Sequence, residues 1–180
     1  GKYNNTMFFD CHAGCGAYID AETGEVSYGS SFLVEKIASA INAKRNSQNF
    51  ICACETKRAY HDNFKRVKAD IGQKTISLKN DDFQNVLTFP LVERYYSTHP
   101  TLFFVDPFGF TMKMSSIAKM MVNRKNEVIV NFMFDFINRF LFVSDPNLLD
   151  EFFGSSDWRN ANGLSLAERE KYLVDLFKQN

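Results

Sequence analysis

The chain has 180 residues, 45% hydrophobic and 15% aromatic, enough to bury a substantial core and near the size of one domain. Lysine plus arginine total 21 and aspartate plus glutamate total 21, for a net charge of zero; this excludes a strongly basic polyanion binder and leaves any nucleic-acid contact to a local patch. No apolar run approaches the roughly 20 residues that span a bilayer, and the opening GKYNNTMFFD lacks the regions of a signal peptide. The sequence therefore reads as a soluble cytoplasmic protein with no membrane partner.

Short runs rich in Phe, Val and Ile alternate with amphipathic stretches of helical length, which predicts an α/β domain with a doubly wound, mainly parallel sheet. The strands are expected at TMFFD (6–10), FICACE (50–55), TISL (75–78), TLFFVD (101–106) and EVIVNFM (127–133). Between the first two, SFLVEKIASAINAK places Phe32, Leu33, Ile37, Ala40 and Ile41 at helical spacing. After the second, KRAYHDNFKRVKADIG sets Tyr60, Phe64, Val67 and Ile71 on one face before Gly72 ends it. MKMSSIAKMMV does the same with Met114, Ile117, Met120 and Met121. From about residue 145 the chain turns helical: DPNLLDEFF has proline at a first-turn position, and Ser165 with Glu168 forms a capping box before LAEREKYLVDLFKQ. No linker or repeat divides the chain, so residues 1–180 read as one domain. Five strands are few for a doubly wound sheet and Gly1 opens without methionine, so the sequence is also read as a piece of a longer one.

Open parallel sheets bind ligands beyond the carboxyl ends of their strands, so the residues just past each run are the candidates. Asp10-Cys11-His12-Ala13-Gly14-Cys15-Gly16 lies at the end of the first. Gly14 and Gly16 permit a tight turn and close backbone approach, Asp10 offers a carboxylate, and His12 is a pocket candidate. The loop lacks the third glycine of a nicotinamide fingerprint, Ile19 standing in its place. Glu55 ends the second run, where it either accepts from two ribose hydroxyls or serves the following helix N-terminus. Asp81 and Asp82 come after the third, as acceptors for an adenine amino group or as helix caps. Asp106-Pro107-Phe108-Gly109 closes the fourth: a carboxylate and a free carbonyl suited to hold the two hydrogens of an exocyclic amine, with Phe108 or Phe110 to stack on a base. Lys57, Arg58, Lys65, Arg66 and Lys68 form either a solvated helix face or a nucleic-acid patch. His61 and His99 read as surface residues. Cys11 and Cys15, with Cys52 and Cys54, end two strands expected to be neighbours; reduced thiols are the default, no metal is assigned, and a redox or metal role is the alternative.

The order glycine loop, acid at the second strand, aspartate after the third and D-P-aromatic after the fourth resembles a class I S-adenosylmethionine-dependent methyltransferase domain. Within that group FFDCHAGCG, GSS (Gly29–Ser31), NDDFQNVL, TLFFVDPFG, EVIVNFMFDFINRF and FFGSSDW most resemble the three-Cys-motif partner protein family, over about residues 6–160. C-H-A-G-C-G stands where that family has F-A-G-P-G, and G-S-S where it has G-S-P. DPFG is similar to the D/N-P-P-Y/F motif of amino-group methyltransferases but lacks its second proline. The resemblance implies S-adenosylmethionine as cofactor, held by Asp10, His12, Gly14, Gly16, Glu55, Asp81 and Asp82. Asp106, Pro107 and Phe108 would be catalytic, with nucleic acid as the leading acceptor. The alternative is a non-catalytic cofactor-binding domain that partners the product of a neighbouring gene in a phage- or defence-related system.

Overall fold

The structure, a computed structural model, describes residues 5–45 and 48–180; residues 1–4, part of the opening segment read for a leader, lie outside it. Seven strands are described: β1 (Asn5–Asp10), β2 (Ala17–Ile19), β3 (Val26–Tyr28), β4 (Gln48–Cys54), β5 (Ile76–Lys79), β6 (Thr101–Val105) and β7 (Glu127–Val130). The helices are α1 (Ser30–Arg45), α2 (Arg58–Asp70), α3 (Phe83–Val86), α4 (Pro90–Thr98), α5 (Met114–Met120), α6 (Phe134–Phe140), α7 (Pro146–Phe153) and α8 (Leu166–Gln179), with a 3₁₀ turn at Asp157–Ala161. Five strands form a parallel sheet in the order β5-β4-β1-β6-β7, the doubly wound arrangement expected from the alternating runs. The first strand lies in the middle and later strands add on either side, so the order reverses beside β1. Register puts Asp10 opposite Ala53 of β4 and Phe104 of β6.

The chain folds as two compact units, one of residues 1–105 and 120–129, the other of 106–119 and 130–180. In the first unit strand alternation sorts the core. Phe8, Ile51, Ala53 and Ile76 pack with Phe32 of α1 and Phe64 of α2, whose rings stack 4.6 Å apart. Phe9 and Phe103 point the other way, to Tyr96 of α4, which lies edge-on to Phe103 at 5.7 Å. Asn126 closes this side: its amide donates to the carbonyls of Tyr96 and Met120, and its oxygen accepts from the Thr101 amide. The second unit is built on aromatic contacts, with Phe152 against Phe110, Phe132, Phe153 and Phe177. Its α8 begins with the expected Ser165–Glu168 capping box, and Asp145 caps α7 ahead of Pro146.

Several expectations are corrected. In α1, Phe32 is buried but Leu33, Ile37 and Ile41 are exposed. The buried hydroxyl of Ser31 donates to Asp10 Oδ2 at 2.7 Å, and Ser31, Phe32 and Ala38 are the buried positions of the helix. Ile37 and Ile41 instead line a groove of about 330 Å³ with Val34, Phe50 and Leu102. In α2, Phe64 is buried while Tyr60 and Ile71 are exposed. His61, expected at the surface, takes the inward position and is buried. The strand expected through Met133 stops at Val130, and α6 comes next with Asp135 in its first turn and Arg139 in its last, the charge placement a helix dipole favours. The antiparallel hairpin β2–β3 has no counterpart among the expected elements, because strands of three residues are too short to show a period; helix α4 has none either.

Candidate functional site

In the first unit, the residues expected to hold a cofactor lie past the carboxyl ends of three adjacent parallel strands, β1, β4 and β5. Asp10 ends β1 and is fully buried. Its Oδ2 accepts from the hydroxyls of Ser30 and Ser31 at 2.5 and 2.7 Å, and its Oδ1 from the His12 amide at 3.3 Å. Asp10 thus ties the strand tip to the start of α1 and shapes the loop between them. That loop, with Gly14 at φ +64° and Gly16 at φ +84°, is the tight turn that glycine permits. It hangs from β4 through the Ala13 amide, which donates to the Cys54 carbonyl, and from α2 through the Asn63 side chain, which donates to the Cys15 carbonyl; both bonds are 2.9 Å. The His12 ring meets the edge of Phe83 at 5.1 Å, so the loop after β1 reaches the helix after β5.

Glu55 comes directly after β4 and is 9% exposed. Its Oε1 accepts from the Lys57 amide at 2.7 Å, a bond made just ahead of α2, which begins at Arg58 without a side-chain cap. Asn80 ties the β4 and β5 tips together, its side chain donating to the Glu55 carbonyl at 2.8 Å. Asp82 caps α3, accepting from the Gln84 amide at 2.7 Å. Asp81 accepts from the Asp82 amide and the Asn85 side chain at 2.8 and 2.9 Å. Each of these carboxylates has one oxygen committed to the fold, which the sequence alone leaves open. Asn63, Asn80 and Phe83 escape a reading of the sequence because single polar or aromatic residues beyond strand ends carry no periodic signal.

The cysteines are free thiols, Cys11, Cys52 and Cys54 buried and Cys15 partly so. Burial pushes the Cys11 and Cys54 thiols up, and a hydrogen bond from Cys54 brings Cys52 down. Among the described residues no group of three or more His, Cys, Asp or Glu side chains is arranged to hold a metal ion. The basic residues of α2 are partly engaged: Arg58 pairs with Asp62 at 3.0 Å, Arg66 donates to Asn63, and Lys68 donates to the Ile76 carbonyl.

In the second unit Asp106 and Asn131 stand immediately after β6 and β7. The Asn131 side chain donates to Asp106 Oδ1 at 2.7 Å, an arrangement invisible in either segment alone. Pro107 is buried and Phe108 is 83% exposed. Both Phe108 and Phe110 approach the Phe136 ring, with centroids 6.3 and 5.6 Å away, and Phe110 also meets Phe152 at 5.4 Å, so Phe108 is the more exposed of the two. No described helix is long and apolar enough to cross a membrane. No family model and no curated protein sequence matches this chain.

Proposed function

We propose that the chain is an S-adenosylmethionine-dependent methyltransferase domain, with an amino group, nucleic acid being the leading class, as acceptor. The observation that carries this reading is the set of three neighbouring strand tips in the first unit, bearing the Gly14–Gly16 loop, Glu55 and the Asp81–Asp82 pair. A glycine loop, an acid for hydroxyls and an acid for an amino group suit an adenosyl ligand better than a nicotinamide one, since the third glycine of the dinucleotide loop is missing. Asp10 supports the loop from beneath, and the loop carries the amino-acid end of the cofactor. Glu55 Oε2 accepts from the ribose and Asp81 or Asp82 from the adenine amine, with His12 and Phe83 as walls. When bound, S-adenosylmethionine supplies a methyl group activated by its sulfonium. Within the second unit, Asp106 Oδ2 and the Pro107 carbonyl would accept the two hydrogens of an acceptor amine, freeing the nitrogen lone pair, and Oδ2 would take the proton the amine must lose on methylation. Phe108 stacks on the ring that bears the amine.

A second reading keeps the cofactor without turnover, in a protein that partners a neighbouring gene's product; the solvent-facing Phe108 and the single proline of the DPFG turn favour it. Calorimetry with S-adenosylmethionine, S-adenosylhomocysteine and NAD tests the shared premise: the first two bind and NAD does not. Binding of NAD alone, or of none, overturns it. Asp106→Ala separates the readings in a wild type that transfers label from methyl-labelled S-adenosylmethionine to DNA or RNA. The variant retains cofactor affinity and loses transfer; undiminished transfer removes Asp106 from the chemistry.

A further inference from the structure

Both glycines of the β1 loop face side chains of their own unit. A Cβ on Gly16 would lie 2.8 Å from the Phe32 ring and 2.9 Å from the Phe64 ring, so core packing alone requires that glycine. A Cβ on Gly14 would lie 2.5 Å from the Tyr18 hydroxyl, and Tyr18 belongs not to the core but to the hairpin after the loop. The pairing of Ala17 with Tyr28, Tyr18 with Ser27 and Ile19 with Val26 puts Tyr18 and Ser27 on one face of the hairpin and the other four residues on the opposite face. Tyr28 leans on the Phe32 ring of α1 at 6.0 Å, and the Gly29 amide donates to the Gly16 carbonyl at 2.8 Å, closing the root. At the far end Asp20 Oδ1 accepts from the amides of Glu22 and Thr23 at 2.9 and 2.7 Å. The hairpin is therefore braced at both ends. It lays a phenol across Gly14 while leaving Tyr18 52% exposed.

We propose that Tyr18 is a binding residue of the cofactor site, its hydroxyl donating to the carboxylate at the amino-acid end of the ligand held by the β1 loop. The assignment rests on the reading of the glycine loop as a cofactor loop and adds to it a residue from outside that loop. Charge chooses the partner. The tips of β4 and β5 offer Glu55, Asp81 and Asp82, acceptors that suit hydroxyls and an amino group and repel an anion, whereas a phenol brings a donor without a negative charge.

The test compares two ligands by calorimetry, S-adenosylhomocysteine and 5′-methylthioadenosine, which lacks the amino-acid end. Tyr18→Phe weakens S-adenosylhomocysteine roughly ten-fold, the range of a lost hydrogen bond to a charged group, and leaves 5′-methylthioadenosine unchanged. Tyr18→Ala loses at least as much, and Ile19→Ala, on the other face of the same strand, alters neither. Unchanged binding of S-adenosylhomocysteine by Tyr18→Phe, or equal losses for both ligands, overturns the contact while leaving the cofactor reading in place. A wild type that binds neither ligand overturns both.

Discussion

Glu55 commits Oε1 to the Lys57 amide just ahead of α2, and under the proposed function Oε2 is the atom assigned to a ribose hydroxyl. Glu55→Ala is expected to weaken S-adenosylhomocysteine by about 1.5–3 kcal/mol, the worth of a charged acceptor, and Cys54→Ala by much less; equal affinities for wild type and Glu55→Ala in calorimetry would refute the ribose assignment. The thiols give a second measurement. Thiolate is the reactive form, and burial holds Cys11 and Cys54 well above the ordinary thiol value, so iodoacetamide at pH 8 should label the partly exposed Cys15 first. Peptide mass spectrometry of the native protein checks this, and the expectation fails if Cys54 is labelled as fast as Cys15.

Helix ends are more legible in the sequence than helix faces. Asp145 before Pro146 and Ser165 before Glu168 mark the starts of α7 and α8 because capping is a local bond between residues two or three apart. The buried face of α1 includes Ser31, which reaches Asp10, twenty-one residues away, and no helical period contains that bond. The same holds at the candidate site: strand tips can be read from apolar runs, but the Asn131–Asp106 bond and the Tyr18 position arise from chain segments brought together only by folding. Between α7 and the 3₁₀ turn Asp150 gathers two donors: the Trp158 indole at 2.7 Å and the Arg159 guanidinium, closest at 2.6 Å. Hydrogen bonding to both holds its carboxyl below the ordinary 3.8. A carboxyl lowered in the folded state stabilises it above the unfolded value, and that contribution fades as pH falls through the folded value. Fluorescence of Trp158, the single tryptophan, should stay flat from pH 7 to about 5 and change below about 4. Asp150→Asn should remove that acid step; its persistence would assign the step to another group.

Over the whole molecule, 21 basic and 21 acidic side chains cancel, so little long-range repulsion keeps copies apart near neutral pH. The first unit meanwhile exposes Leu33, Ile37 and Ile41 along α1, with Phe50 beside them. Light scattering should show the greatest self-association near pH 7, where the net charge is zero, declining as the pH moves away from it. Ile37, 61% exposed, can be changed to lysine at little cost in melting temperature, and Ile37→Lys should suppress association. A large loss of melting temperature would show that the α1 stripe is internal after all.

The Gly29 amide and the Gly16 carbonyl meet at 2.8 Å, so the chain leaves the β1 loop and re-enters at α1 almost where it departed. Residues 17–28 are thus a detour rather than a span. In evolutionary terms this junction is an insertion point, where a β–loop–α unit can gain, lose or exchange a segment without moving either flanking element. Replacing 17–28 by a short glycine linker should preserve the circular dichroism spectrum and release the cover from Gly14, and foreign hairpins grafted there would redesign the mouth of the site while the sheet beneath it stays as it is.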